Sequence, residues 1–189
     1  MSRHLFAAIA ALCMSPCVFA ADAAKPSAPA DAATGIPAEQ AQLDFFLGTW
    51  SCTGQTFASE MGPAHATAAT VHAAKAVGDR WLHIAYDEKK TAANTNPYHA
   101  GVYMGYDAGK KQFVEGCVDN FGGYCTQSGS GWNGDSLVFE GTANGSGQTL
   151  TVRDTFTRKG ASQLTHTGEM QGADKQWAKS DEETCKKGG

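Results

Sequence analysis

The sequence predicts an all-β protein: an up-and-down antiparallel meander of about ten strands, closed into a barrel and entered through one short helix. Three observations carry that expectation. Runs rich in Thr, Val, Tyr, Phe and Trp follow one another from residue 49 to residue 184. Gly, Asn and Asp turns separate them, among them Gly78-Asp79, Gly122-Gly123, Asn133-Gly134-Asp135, Asn144-Gly145 and Gly172-Ala173. The linkers are short, which suits antiparallel neighbours, because parallel strands need a crossover of about a dozen residues or more. A twisted meander of this size removes its exposed edges by closing on itself. An immunoglobulin-like sandwich is the competing expectation, and it wants long Greek-key returns that are scarce here.

Two segments of other character precede the barrel. Arg3 and His4 lead into the apolar run Leu5 to Met14, and Val18-Phe19-Ala20 puts small residues at the two positions a signal peptidase reads. The run is shorter than the roughly 20 residues that cross a bilayer. Residues 1–20 therefore read as a cleavable signal peptide, and the protein as periplasmic or secreted. Cys13 and Cys17 fall inside this segment; Leu12 and Pro16 precede them, where a lipid-attachment site needs a small residue. Residues 21–37 are rich in Ala and Pro without hydrophobic period, and read as a flexible linker. The barrel domain is expected over 38–189.

Within that domain, Pro37 introduces a short helix over Ala38 to Phe46. Strands are expected at 49–57, 64–75, 80–88, 99–106, 111–119, 123–130, 136–142, 148–157, 162–171 and 175–184. Fifteen basic and 19 acidic residues give a formal charge of −4, with no block of like charges. Nucleic acids and anionic membranes are held by clustered Lys and Arg, so neither is an expected partner. No second long apolar stretch follows, and no membrane insertion is expected after signal cleavage.

Of the six cysteines, Cys52, Cys117, Cys125 and Cys185 remain in the domain. An even number in an exported chain favours disulfides, and the absence of C-x-x-C spacing speaks against zinc. Cys117 and Cys125 lie on consecutive strands joined by a glycine-assisted turn, in a register that sets them face to face. Cys52 on the first strand and Cys185 at the end of the last become neighbours only if the meander closes. The expected bonds are Cys117–Cys125 and Cys52–Cys185.

Period-two alternation separates the faces of each strand. Leu150, Val152, Asp154 and Phe156 share one face of 148–157; Leu164, His166, Gly168 and Met170 share one face of 162–171. With Lys159-Gly160-Ala161 as a three-residue loop, Phe156 meets Leu164, Leu150 meets Met170, and Asp154 meets His166. A carboxylate and an imidazole would then touch across a hairpin inside the barrel. Such a pair can orient a ligand, act as acid and base, or simply satisfy itself. Asp154, His166, Phe156, Val152, Leu164 and Met170 are the candidate ligand-binding residues. Glu115 and Asp119 share a face with Phe113 and Cys117, opposite Val114 and Val118, and the strand does not decide which face is inward. Trp81 and His83 oppose Leu82, Ile84 and Tyr86 in the same way.

Leu43-Asp44-Phe45-Phe46-Leu47-Gly48-Thr49-Trp50 resembles the helix and Gly-x-Trp first strand of lipocalin-like barrels of the calycin group. Arg80-Trp81-Leu82, Gly105-Tyr106-Asp107 and Trp132-x-Gly134-Asp135 resemble an uncharacterised bacterial lipocalin-like family. The resemblance implies a cup-shaped barrel whose Trp50 plugs the closed end, with Gly48 as a close-approach position beside it. Nitrobindins, haem-binding barrels of the same group, are similar at Gly48, Trp50 and Gly54, whereas Cys52 and Thr56 stand where two of their glycines would be. Their iron is held by a histidine close to the C-terminus. The last strand here has none, and His166 is the nearest candidate, so no cofactor is assigned and haem is the one to test.

Motifs for other chemistry are missing: no G-x-S-x-G, no Walker loop and no H-E-x-x-H. His65 and His72 lie seven apart on one strand, hence on opposite faces, and no metal site is expected. Three functions fit these residues: a cup for an apolar or amphipathic small molecule, an enzyme using haem or the Asp154 and His166 pair, and a partner-binding protein of the cell envelope such as a protease inhibitor. Binding is the favoured reading and catalysis the less favoured one. If 21–37 is only a linker, a chain beginning at Ala38 melts at the same temperature as one beginning at Ala21. A loss of several degrees in a thermal scan would show that the segment packs on the domain.

Overall fold

The structure, a computed structural model, describes residues 35–59 and 62–188. The expected signal peptide and all of the expected linker before Gly35 lie outside the described residues. Ten strands follow a single helix: β1 Gly48–Thr56, β2 His65–Ala76, β3 Trp81–Glu88, β4 His99–Asp107, β5 Gln112–Asp119, β6 Tyr124–Gly129, β7 Ser136–Gly145, β8 Gln148–Arg158, β9 Gln163–Gln171 and β10 Trp177–Lys187. Each pairs antiparallel with its chain neighbours, and β10 returns to pair with β1. The sheet is a closed up-and-down barrel, as the strand pattern predicts.

The helix Ala38–Phe46 is a 3-10 helix. With three residues per turn, Gln40, Leu43 and Phe46 stack on one face, and these are its three buried residues. It closes one end of the barrel. The Trp50 indole donates to the Phe46 carbonyl at 2.6 Å and is 2% exposed, so the expected plug is in place. Trp132, from the β6–β7 loop, donates to the Gln42 carbonyl at 2.9 Å and stacks on Phe46. The Arg158 guanidinium lies 3.5 Å over the Trp132 ring. Gly48 takes φ +109°, a backbone conformation open to glycine, and this accounts for the residue more directly than close approach does. Above the plug, Leu82, Met104, Phe113, Leu137 and Phe139 form the core, each at most 2% exposed. Burial of one such side chain stabilises the fold by about 1.5–3 kcal/mol.

The registers resolve the open questions of facing. Phe113, Glu115, Cys117 and Asp119 point inward and Val114 and Val118 outward; Leu82, Ile84 and Tyr86 point inward and Trp81 and His83 outward. One expectation is corrected. On the β8–β9 hairpin Phe156 pairs with His166, Val152 with Met170, Arg158 with Leu164, and Asp154 with Gly168. Lys159 closes onto Gln163, so the three loop residues are Gly160, Ala161 and Ser162, one position later than expected. Gly160, the first loop residue, takes φ +111°, a backbone conformation that favours glycine. The slip is two in register, so every side chain keeps its face.

Cys52 is bonded to Cys185 and Cys117 to Cys125, both at directly paired positions. The first bond encloses 133 residues and the second 8. Chain entropy then gives the seam bond about 5 kcal/mol and the hairpin bond about 2.5 kcal/mol. Replacing Cys52 and Cys185 together by Ala is expected to lower stability about twice as much as replacing Cys117 and Cys125, measured by urea unfolding under oxidising conditions. Equal losses would show that loop length does not govern these staples.

Candidate functional site

Above the apolar core the inward positions turn polar. Asp154 comes from β8, His166 from β9, Asp181 from β10, Gln127 from β6 and Glu115 from β5. His166 Nε2 lies 2.9 Å from Asp154 Oδ1, and its Nδ1 lies 3.2 Å from Asp181 Oδ1. The Gln127 amide donates to Asp154 Oδ2 and, at 3.5 Å, to Glu115 Oε1. The result is a relay of five side chains across half the barrel wall. The hairpin slip moves Asp154 and His166 from direct to diagonal neighbours, and long side chains span that step.

Each end of the relay titrates away from its ordinary range. Burial alone would lower the His166 pKa, but hydrogen bonds to Asp154 and Asp181 override it and hold the ring protonated well above the usual value. With both ring nitrogens donating, His166 is an imidazolium. Burial would raise Asp181, yet the same bond from His166, with one from Ser180 and one from the Gly168 amide, lowers it. Glu115 lacks such help. Burial and then the Asp154 charge push it up to about 8, with His166 offsetting part of the rise. It is mostly a neutral carboxylic acid at pH 7. Gly168 makes room for the arrangement: a Cβ there would sit 2.2 Å from Asp181 Oδ2.

A second group lies across the barrel. Glu183 Oε1 accepts from Thr67 at 2.7 Å and from the Tyr86 hydroxyl at 2.8 Å. Glu88 accepts from the Asn94 side chain at 2.9 Å and the Tyr98 amide at 2.8 Å, with His65 Nε2 at 3.3 Å. Burial, then nearby carboxylates, raise the Tyr86 and Tyr98 phenols above their ordinary range. Tyr86, Tyr98 and Phe121 form a row at the open end, with ring centroids 6.0 and 6.2 Å apart. Cys52, Glu183 and Cys185 lie close together, but both sulfurs are spent in the disulfide and offer no thiolate to a metal.

Of the candidate residues, Asp154 and His166 meet, and the Phe156 ring lies 4.9 Å from the His166 ring. Val152 and Met170 pair farther toward the open end. Leu164 is 5% exposed in the core, beside Cys185 at the closed side, and stands apart from the polar group. Asp119 caps the β5–β6 turn, accepting from the Phe121 and Gly123 amides at 2.8 Å each. Sequence reasoning missed Gln127, Asp181, Glu183 and Glu88.

These side chains do not fit a haem. His166 has no lone pair left for iron, and His65 is engaged by the Pro63 carbonyl at Nδ1 and by Glu88 and Asn94 at Nε2. His72, His83 and His99 occupy outward positions of the barrel. The wall is also lined by carboxylates, which would repel haem propionates.

Stability should carry the mark of Glu115. An unfolded glutamate loses its proton near 4.5, the folded one near 8. Between those values the folded chain binds the extra proton, so rising pH weakens folding. His166 acts in the same direction, its contribution complete below its unfolded pKa and lost as pH rises through the raised folded one. Asp181 acts oppositely, and only as pH falls into the acid range. The melting temperature is expected to decline between about pH 5 and about pH 8, and Glu115→Gln to flatten that decline. An unchanged slope in the variant would mean that Glu115 ionises as an ordinary carboxylate.

No protein with a curated description matches the chain in sequence. Among solved structures, the crystal structure of Rv2717c from M. tuberculosis is similar in fold. It matches with a TM-score of 0.62 over 82% of this chain and 100% of its own, at 12% identity. The family model described as "Protein of unknown function (DUF1579)" matches residues 37–187. That match runs from the entrance of the helix to the end of β10 and takes in the whole barrel, so the chain belongs to the DUF1579 family.

Proposed function

We propose that this protein is an exported, lipocalin-like cup that binds one amphipathic small molecule inside its barrel. One observation carries the reading. Asp154, His166 and Asp181 point toward the barrel axis, yet their side chains keep 22%, 21% and 33% of their surface exposed. Such exposure of inward-pointing side chains supports a space above the apolar core that solvent, or a ligand, can enter. An apolar floor beneath convergent polar groups is the usual make-up of a small-molecule site. Acid–base catalysis is less well served. His166, clamped between two carboxylates, stays protonated near neutrality, away from the poise a general base needs.

Export rests on the leader-like N-terminus and on the two disulfides, which are stable in an oxidising compartment and rare in the cytosol. No helix among the described residues is long and apolar enough to cross a membrane.

A neutral fluorescent amphiphile with a hydroxyl head is expected to bind with a stoichiometry of about one. Tyr103, Val118 and Tyr124 are exposed on the outer wall, where a dye can also adsorb, so the titration needs an interior control. Val152→Trp, which fills the cup, is expected to weaken binding at least about tenfold, roughly 1.4 kcal/mol. Binding that survives this change would place the probe outside, and no binding at all would sink the cup reading.

A further inference from the structure

We infer that the cup selects an organic cation with N–H donors, a protonated primary or secondary amine or an amidinium, whose head sits against Asp154, Gln127 and Glu115. The inference rests on the cup reading and adds the class of ligand.

The first ground is an unmet hydrogen-bonding demand. Glu115 is 7% exposed and Gln127 6%, and both are directed inward from paired positions on β5 and β6. Glu115 Oε2 and Gln127 Oε1 are buried without any hydrogen-bond partner. Buried polar groups are nearly always paired in native proteins, and an orphan costs on the order of a whole hydrogen bond. The Gln127 amide hydrogens already point at Asp154 and Glu115, so Oε1 is the atom left over, and it can only accept. What completes it must bring a donor. Asp154, bonded to the same amide and a fifth exposed, is the group an incoming head meets first.

The second ground is the sign of the field. Glu88, Asp119, Asp154, Asp181 and Glu183 all face into the open half of the barrel, where Glu115 stands beside them as a neutral acid. Among the inward positions of the described strands, the cation opposing them there is His166, shared by two carboxylates, while Lys89, Lys90 and Lys175 are exposed in the loops at the rim. The inward lysines and arginine of the described strands lie at the closed end: Lys75 on Asp44, Arg158 over Trp132 and Lys187 over Trp50. A negative, low-dielectric cleft concentrates cations and rejects anions. The row of Tyr86, Tyr98 and Phe121 offers a path for an apolar or aromatic body and faces on which a cation is attracted.

A proton should move with the ligand. Glu115 is faced by Gln127 from β6, Asp154 from β8 and, through Asp154, His166 from β9, with Met104 opposite on β4. The one positive charge among them, on His166, offsets only part of the rise. A cation at Oε2 does, and the carboxylic acid then gives its proton to solvent and becomes the counter-ion.

The test uses the full chain and three fluorescent probes that share one aromatic tail and differ only in the head: ammonium, hydroxyl or sulfonate. The ammonium probe is expected to bind at least tenfold tighter than the hydroxyl probe, and the sulfonate probe weakest. Calorimetry at pH 7 in buffers of different ionisation enthalpy should show a proton released with the ammonium probe and none with the hydroxyl probe. Glu115→Gln and Asp154→Asn should each bring the ammonium-to-hydroxyl ratio toward one. Equal affinity of the ammonium and hydroxyl probes for the unaltered protein overturns the cation inference and leaves the cup standing. A preference that persists in both variants overturns the site. Failure of all three probes overturns the cup itself, and the inference with it.

Discussion

Cys52 and Cys185 face each other across the β1–β10 seam, and β10 brings with it the two carboxylates on which both polar groups depend. Glu183, two residues before Cys185, reaches Thr67 on β2 and Tyr86 on β3, strands that meet β10 only around the closed barrel. Asp181, two residues further back, supplies the second partner of His166. An open sheet would leave β1 and β10 as edges and these carboxylates in water, where none of the contacts that shift their neighbours' pKa values would exist. The Ser180 bulge between β9 and β10 tunes the same strand, because an extra residue there resets which side chains point inward. Closure is therefore a condition of the site as well as of the fold.

The polar half is expensive by any estimate of burial. Placing ionised side chains inside a protein costs several kcal/mol each unless they are paired and hydrogen-bonded. The arrangement limits that cost by alternation: Asp154, then the His166 imidazolium, then Asp181, with Gly168 left bare so that Asp181 can close on the ring. Glu115 takes the other route and stays protonated. Replacing such a set with leucines would satisfy folding at less cost. Its presence above a complete apolar core fits a stability–function trade, in which the interior is kept open and charged for something that enters it.

Much of the barrel was legible because its signals are local. Alternating faces and glycine turns mark all ten strands, and parity alone puts Asp154 and His166 on the same interior. Hairpin register depends on which loop residue adopts a left-handed conformation, and Lys159-Gly160-Ala161 and Gly160-Ala161-Ser162 are equally good loops by composition. The error of one pleat left the pair intact because it preserved parity. The members that escaped notice are those whose roles are set by distant strands. Asp181 and Glu183 sit in an acidic run with Glu182 that reads as solvated, and only the bulge and the closure turn two of the three inward. Gln127 carries no motif at all; it matters because it falls between two carboxylates of other strands.

The two ends of the barrel are electrically opposite, and the layer between them keeps them so. Arg158 and Lys187 rest on aromatic rings and a main-chain carbonyl beneath the plug. The carboxylates lie beyond a band of Leu82, Met104, Phe113, Leu137 and Phe139, each almost fully buried. Were that band polar or hydrated, the lower cations could approach and neutralise the upper acids. An apolar, close-packed band keeps them apart, since a charge entering it would be desolvated without a partner. The open half therefore keeps an excess of carboxylates facing the mouth, reduced but not cancelled by His166. The apolar layer that gives the fold its stability also gives the cup its sign.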